Sequence, residues 1–306
     1  MSGLNASLGY FLACVVLTAS LRAPLKRCPR LAFLSELSSS FMLVACRLEV
    51  QTIVEVGEWA GGLGPDVTMT ILFAVLLVHG IVCGDHLGNP SVSILRFLQV
   101  DATLLTTVLA VASHFIGAFL AILAAEYYWN LELTDMHMIK NLMSSECSTS
   151  LLVSPVQGFF TEVVCGLLFY LAHLSLRGRS AFLKVPVGAV LLTFLSHIAK
   201  SYTSSYINPS LAYGLTFNCS GFTLTEYALV YWLAPITGKL LFFFFFLWST
   251  CPFIKCDIYT SEFACFPGMT LALFLYMGHI PRIFTKNLLY KTRFRVRKRG
   301  EKEKKK

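Results

Sequence analysis

Apolar residues in this chain come in long runs separated by short polar or charged breaks, beginning with Leu4 to Leu21. Runs of about 18 to 25 residues match the length of helix that crosses roughly 30 Å of hydrocarbon at 1.5 Å per residue. The pattern predicts further crossings over Phe33 to Val56, Val67 to Cys83, Ala102 to Ala125, Gly158 to Leu176 and Val185 to Ser201, with a last one opening near Tyr227. That makes six core crossings after an N-terminal hydrophobic segment.

Two apolar stretches, Asn89 to Leu98 and Asn208 to Phe217, are too short to span. Each is half a membrane thickness long, and each opens with the same tripeptide: Asn89-Pro90-Ser91 and Asn208-Pro209-Ser210. Asn is a good N-cap, and Pro suits the first helical position because its missing N–H would be unpaired there anyway. One Asn-Pro is only a cap signal. Two of them, each opening a half-length apolar helix, predict re-entrant half-helices, which are tolerated in a bilayer only where they pack on protein or line a cavity.

The two stretches occupy matching places. Glu36 near the start of one crossing is followed by a second crossing and Asn89, and Glu162 near the start of another is followed by a crossing and Asn208. An odd number of crossings per half makes the two copies inverted, so the half-helices enter from opposite faces and meet near the midplane. Their positive dipole ends and the amide NH2 groups of Asn89 and Asn208 then point at one spot, where water or a neutral hydroxyl solute can accept hydrogen bonds and a cation is repelled.

Charge sets the orientation. The basic linker Arg22, Lys26, Arg27 and Arg30, the loop from Arg177 to Lys184 and the C-terminal tail are expected on the cytosolic side, whereas Glu58 to Asp66 and the Glu126 to Glu146 connection are mainly acidic. Because basic residues follow the first apolar run, it reads as an uncleaved segment and not a signal peptide. The formal charge of +8 does not indicate nucleic-acid binding, since Arg282 to Lys306 carries twelve Lys and Arg against two Glu, leaving the body near −2. With 56% hydrophobic residues and 14% charged, the partner implied is the lipid bilayer. Most of the ten cysteines, including Cys14, Cys46, Cys83 and Cys165, fall inside apolar runs without metal-ligand spacing, so neither a disulfide scaffold nor a metal is expected. No nucleotide loop or nucleophile triad calls for a cofactor or an enzyme.

With its paired Asn-Pro-Ser motifs, the chain resembles the aquaporin (major intrinsic protein) family, and within it the divergent intracellular branch called superaquaporins or unorthodox aquaporins. The resemblance is carried also by Val56-Gly57-Glu58-Trp59-Ala60-Gly61 with Pro65-Asp66, by Asn218-Cys219-Ser220-Gly221 and by Tyr231-Trp232-Leu233-Ala234-Pro235. It implies an all-α, right-handed bundle of six transmembrane helices plus two re-entrant half-helices, here with an extra N-terminal hydrophobic helix. It further implies a homotetramer with one pore per protomer, structural roles for Glu36 and Glu162 toward free backbone N–H groups, and a signature cysteine at Cys219. Ordinary members follow the second motif with Arg, where this chain has Leu211. The remaining selectivity-filter counterparts are Ser205, Met69, and Ser196 or His197.

By these readings residues 1–30 are the N-terminal segment and linker, 31–281 the channel domain with repeats over about 31–130 and 155–281, and 282–306 a basic cytosolic tail. Residues 239–267 interrupt the last crossing. Their ends, Gly-Lys-Leu and Phe-Pro-Gly, can be encoded by splice-donor and splice-acceptor sequences around a pyrimidine-tract-like Phe242 to Phe246, so the stretch reads as a translated retained intron. A genuine isoform is the competing reading, and transcript sequencing separates the two. Lys302 and Lys304 fit a Lys-x-Lys-x-x retrieval signal, placing the protein in the endoplasmic reticulum or another internal membrane. The function expected is passive permeation of water and small neutral solutes such as glycerol or hydrogen peroxide. A non-conducting membrane scaffold and a secondary transporter are the alternatives.

Overall fold

The first apolar run forms one helix, α1 (Gly3–Leu25), and the next forms α2 (Ala32–Glu55). The computed structural model describes residues 3–28, 31–56, 65–99, 101–143, 147, 149–176, 178–217 and 219–241. Within these follow α3 (Pro65–Cys83), the half-helix α4 (Pro90–Leu98), α5 (Leu104–Trp129), α6 (Asp135–Leu142), α7 (Pro155–Ser175), α8 (Ala181–Ile198), the half-helix α9 (Pro209–Thr216) and α10 (Leu224–Tyr227). A six-residue π-helical stretch, Ala228–Leu233, continues α10, and residues 234–241 are again α-helical. The Phe242 to Phe246 run, most of the 239–267 stretch and the tail with Lys302 and Lys304 lie outside the described residues.

Among the described residues, α1, α2, α5, α7 and α8 are long and apolar enough to cross a membrane, and the Val67–Cys83 part of α3 is a shorter apolar helix. Their exposed side chains are themselves apolar, as on α5, where Leu105, Val108, Ile116, Phe119 and Leu123 recur at helical spacing on one uncovered face. Such a belt is stable in lipid, where apolar exposure has no cost. The polar residues turn inward instead: α2 buries Ser35, Glu36, Ser38, Ser39, Ser40, Glu49 and Thr52.

The N-terminal helix is part of the bundle. Its buried residues Ser7, Tyr10, Phe11, Cys14, Thr18 and Arg22 form a stripe that packs on α2. Arg22 donates from one guanidinium nitrogen to the Ser35 carbonyl (3.0 Å) and from the other to the Cys83 carbonyl (2.8 Å), tying the end of α1 to the start of α2 and the end of α3. At the other end Ser7 donates to the buried Glu49 (2.5 Å), which also accepts from Trp129 (3.0 Å) and bonds His137 (2.9 Å).

Three features depart from the sequence reading. The acidic connection contains α6, eight residues long, capped by Thr134 and too short to register as an apolar run. The segment expected over Val185 to Ser201 starts earlier and ends earlier, because residues beyond Ile198 turn into the re-entrant loop, with Ser204 and Ser205 at positive φ (62° and 47°). Cysteine spacing indicated no disulfide scaffold, and the structure adds a bond it did not indicate, Cys147–Cys219, which closes 72 residues. Spacing could not reveal it, because the return of α9 to the surface brings Ser220 beside the connection, where Ser220 N–H donates to the Cys147 carbonyl (3.1 Å) and Thr149 N–H to the Ser220 carbonyl (2.9 Å).

Close helix contact depends on small residues. A Cβ on Gly117 of α5 would lie 2.4 Å from the Leu37 carbonyl oxygen of α2, and one on Gly238 would lie 2.2 Å from the Val163 carbonyl oxygen of α7. Both backbone atoms follow the paired glutamates by one residue, so the two halves use the same contact. Gly117→Ala is therefore expected to destabilise the detergent-solubilised protein by about 1–3 kcal/mol, since rigid backbone must move. Gly188→Ala, with nothing within 4 Å, should leave the unfolding midpoint unchanged or slightly raised; equal effects at the two sites would contradict the packing argument.

Candidate functional site

Each half-helix starts as its sequence predicts. Asn89 is the N-cap of α4 and its Oδ1 accepts from Ser91 N–H (3.0 Å), while Asn208 caps α9 and accepts from Ser210 N–H (3.1 Å) and, more weakly, Leu211 N–H (3.5 Å). Pro90 and Pro209 occupy the first helical positions. Capping turns each amide so that its nitrogen points away from its own helix.

The two amides reach across to the opposite loop. Asn89 Nδ2 donates to the Ile207 carbonyl (3.2 Å), and Asn208 Nδ2 donates to the Gly88 carbonyl (2.9 Å). The acceptors are matching residues, each immediately before the other motif. Both have left-handed backbone, at φ 60° for Gly88 and 56° for Ile207, which turns the carbonyl toward the partner loop. Glycine takes this conformation freely and its absent side chain admits Ser40, whose backbone a Cβ would meet at 2.9 Å. A β-branched residue adopts it only when held.

Buried groups hold Ile207. Glu162, fully buried on α7, accepts from Ile207 N–H (2.9 Å), Tyr206 N–H (3.0 Å) and the Thr203 hydroxyl (2.8 Å), and Lys239 Nζ donates to the Ile207 carbonyl (2.9 Å). Glu36 is placed differently from the expectation that both glutamates bond backbone N–H groups. It bonds His86 Nδ1 (2.9 Å) and His114 Nε2 (3.0 Å), and pairs with Arg96 at 3.5 Å. The loop before Asn89 carries His86, which reaches Glu36 first, while the loop before Asn208 presents only backbone and Thr203.

The motif serines also differ. Ser210 Oγ lies 2.9 Å from both the Gly88 carbonyl and Asn208 Oδ1, adding a cross-link that alanine could not make. Ser91 Oγ is buried without a hydrogen-bond partner among the described residues.

Both asparagines line one cavity of about 1040 Å³, counted with its open mouth, whose walls are mostly aliphatic and aromatic. Leu211, Ser205 and Ser196 line it; Met69 and His197 are not among its lining residues. His197 follows Ser196 by one helical position, which turns it about 100° onto the exposed face. At one mouth Lys184 is paired with Asp85, and that ammonium holds the Asp85 carboxyl below the usual carboxylate range. Neither Glu36 nor Glu162 lines the cavity. Arg47 of α2 also lines the cavity and was not singled out from sequence. A charged residue inside an apolar crossing is the signal that could have found it.

Inverted half-helices joined at their capped ends suggest a known architecture, and residues 29–246 match the major intrinsic protein family. The chain belongs to the major intrinsic protein family. Among curated relatives it is 35% identical to mouse aquaporin-12 over 97% of this chain and 93% of that protein. Human aquaporin-11 is 29% identical over 79% of this chain and 90% of its own length. An X-ray structure of the aquaglyceroporin from Plasmodium falciparum shares the fold, with a TM-score of 0.54 at 18% identity, covering 73% of this chain and 97% of that one. The aquaporin-like helical bundle expected from sequence is thus the fold, and the chain is a multi-pass membrane protein of a channel family, not an enzyme.

Glu162 alone accepts all three of these buried hydrogen bonds in the second half. Glu162→Gln keeps the shape but leaves one acceptor oxygen for three buried donors. Its expected cost is about 2–5 kcal/mol, read as a lowered unfolding midpoint. Wild-type stability in this variant would show that the re-entrant loop is held by something else.

Proposed function

We propose that this chain is a passive channel for water and small neutral solutes. The observation carrying the proposal is the pair of cross-bonded asparagine caps on one cavity wall. Each amide nitrogen has two N–H groups, and one is used across the loop junction. The other is available to an oxygen in the cavity, where two helix N-termini add positive potential. Such a site binds a water or hydroxyl oxygen weakly and turns its hydrogens away from the junction, which breaks proton relay and disfavours cations.

The constriction on the Leu211 side is assigned to Leu211, Ser205 and Ser196, an aliphatic wall with two hydroxyls that suits glycerol or hydrogen peroxide as well as water. Secondary transport would need an acid at the site, and both candidate glutamates are engaged outside the cavity wall. A homotetramer in an intracellular membrane with a cytosolic C-terminus completes the proposal. The Cys147–Cys219 bond supports that orientation, because disulfides persist in oxidising lumenal or extracellular space, the side to which charge assigns the acidic connection.

Stopped-flow light scattering on proteoliposomes tests the conduction claim. Water flux is expected about tenfold or more above lipid alone, without dependence on ion gradients. Lipid-level permeability to water, glycerol and peroxide together would establish a scaffold instead. For localisation, changing Lys302 and Lys304 to Ser should move a substantial fraction of the protein to the cell surface. An unaltered distribution would remove the retrieval signal from the account.

A further inference from the structure

Two cationic side chains line the cavity, and the fold treats them differently. Lys184, at one mouth, is paired with Asp85. Arg47, on α2, has no ion pair with any carboxylate among the described residues. Its Nε is enclosed and without a hydrogen-bond partner, and its titratable neighbour is the phenol of Tyr206. Ser205, also on the cavity wall, has its buried hydroxyl beside the Cys165 thiol. Among the described residues nothing pairs with the permanently charged Arg47 guanidinium on this apolar wall, which leaves it to what enters the cavity.

The height of Arg47 along the pathway follows from α2. Ser40 touches the loop junction through Ser210 Oγ (3.3 Å), and Val44 touches α9 at Gly214. Arg47 lies roughly 5–10 Å further along the helix at 1.5 Å per residue. Its neighbour Tyr206 belongs to the loop entering α9, so Arg47 stands on the same side of the junction as Ser205 and Leu211. Position 211 itself holds an uncharged side chain.

We propose that Arg47 is the specificity-determining cation of this pore. It supplies from the first core crossing the positive barrier that position 211 does not. Its guanidinium and the Ser205 hydroxyl bind the oxygen of a passing neutral molecule, while the fixed charge turns back cations and protons. The inference rests on the channel reading above.

The test uses full-length protein in proteoliposomes, with Arg47→Gln and Arg47→Lys beside wild type. Water flux is measured by light scattering, and potassium and proton leak by electrode and pH dye. Arg47→Gln is expected to raise cation and proton leak relative to water flux by about tenfold or more, and Arg47→Lys is expected to retain exclusion. Lipid-level water flux in wild type would defeat the channel reading itself. Normal wild-type flux with unchanged cation exclusion in Arg47→Gln would overturn only the role of Arg47. If Arg47→Gln fails to assemble, the reversal potential of wild-type residual leak in a KCl gradient decides: chloride selectivity supports the proposal and potassium selectivity overturns it.

Discussion

Two reciprocal hydrogen bonds join the halves of this protein where they meet. Asn89 donates to the carbonyl before Asn208, and Asn208 donates to the carbonyl before Asn89. Everything near the centre answers to that exchange: the left-handed residues that aim the carbonyls, the prolines that start the helices, and Glu162 and Lys239 gripping Ile207. In lipid an unpaired backbone group has no water to turn to, so half-helix ends can sit at membrane depth only if such a junction satisfies them.

The two halves solve the same problem with unequal chemistry. Both place a glycine of the third crossing against the residue that follows the glutamate. In the second half the glutamate bonds backbone N–H groups directly, whereas in the first it is held by two histidines and an arginine. Since Gly88 costs little at positive φ, its loop needs less support than the loop of Ile207. The heavier bonding falls on the more strained side.

Polar residues within the crossings divide into those that build the protein and those that face the cavity. Glu49 with Ser7, Trp129 and His137 fastens α1 to the bundle and stays off the cavity wall. Arg22 does the same at the opposite end of α1 by donating to two backbone carbonyls. Arg47, by contrast, makes no such contact among the described residues. A charge kept on a crossing without a partner among them is difficult to explain by stability, which is why the pore is the place to look for its use.

Hydropathy and the repeated Asn-Pro-Ser determined the crossings, the half-helices, their inversion and the capping asparagines, because membrane thickness and helix-start chemistry leave few alternatives. The third filter position was open between Ser196 and His197, and only helix rotation puts the serine on the cavity. Tertiary structure alone decided that Cys147 meets Cys219, that Ser210 cross-links the loops while Ser91 does not, and that Glu36 serves histidines. These depend on which distant segments fold against one another, and a pairing across more than seventy residues leaves no periodicity for a sequence to display. The position of Arg47 belongs to the same class: the residue is visible in the sequence, but its lack of a partner among the described residues is a property of the fold.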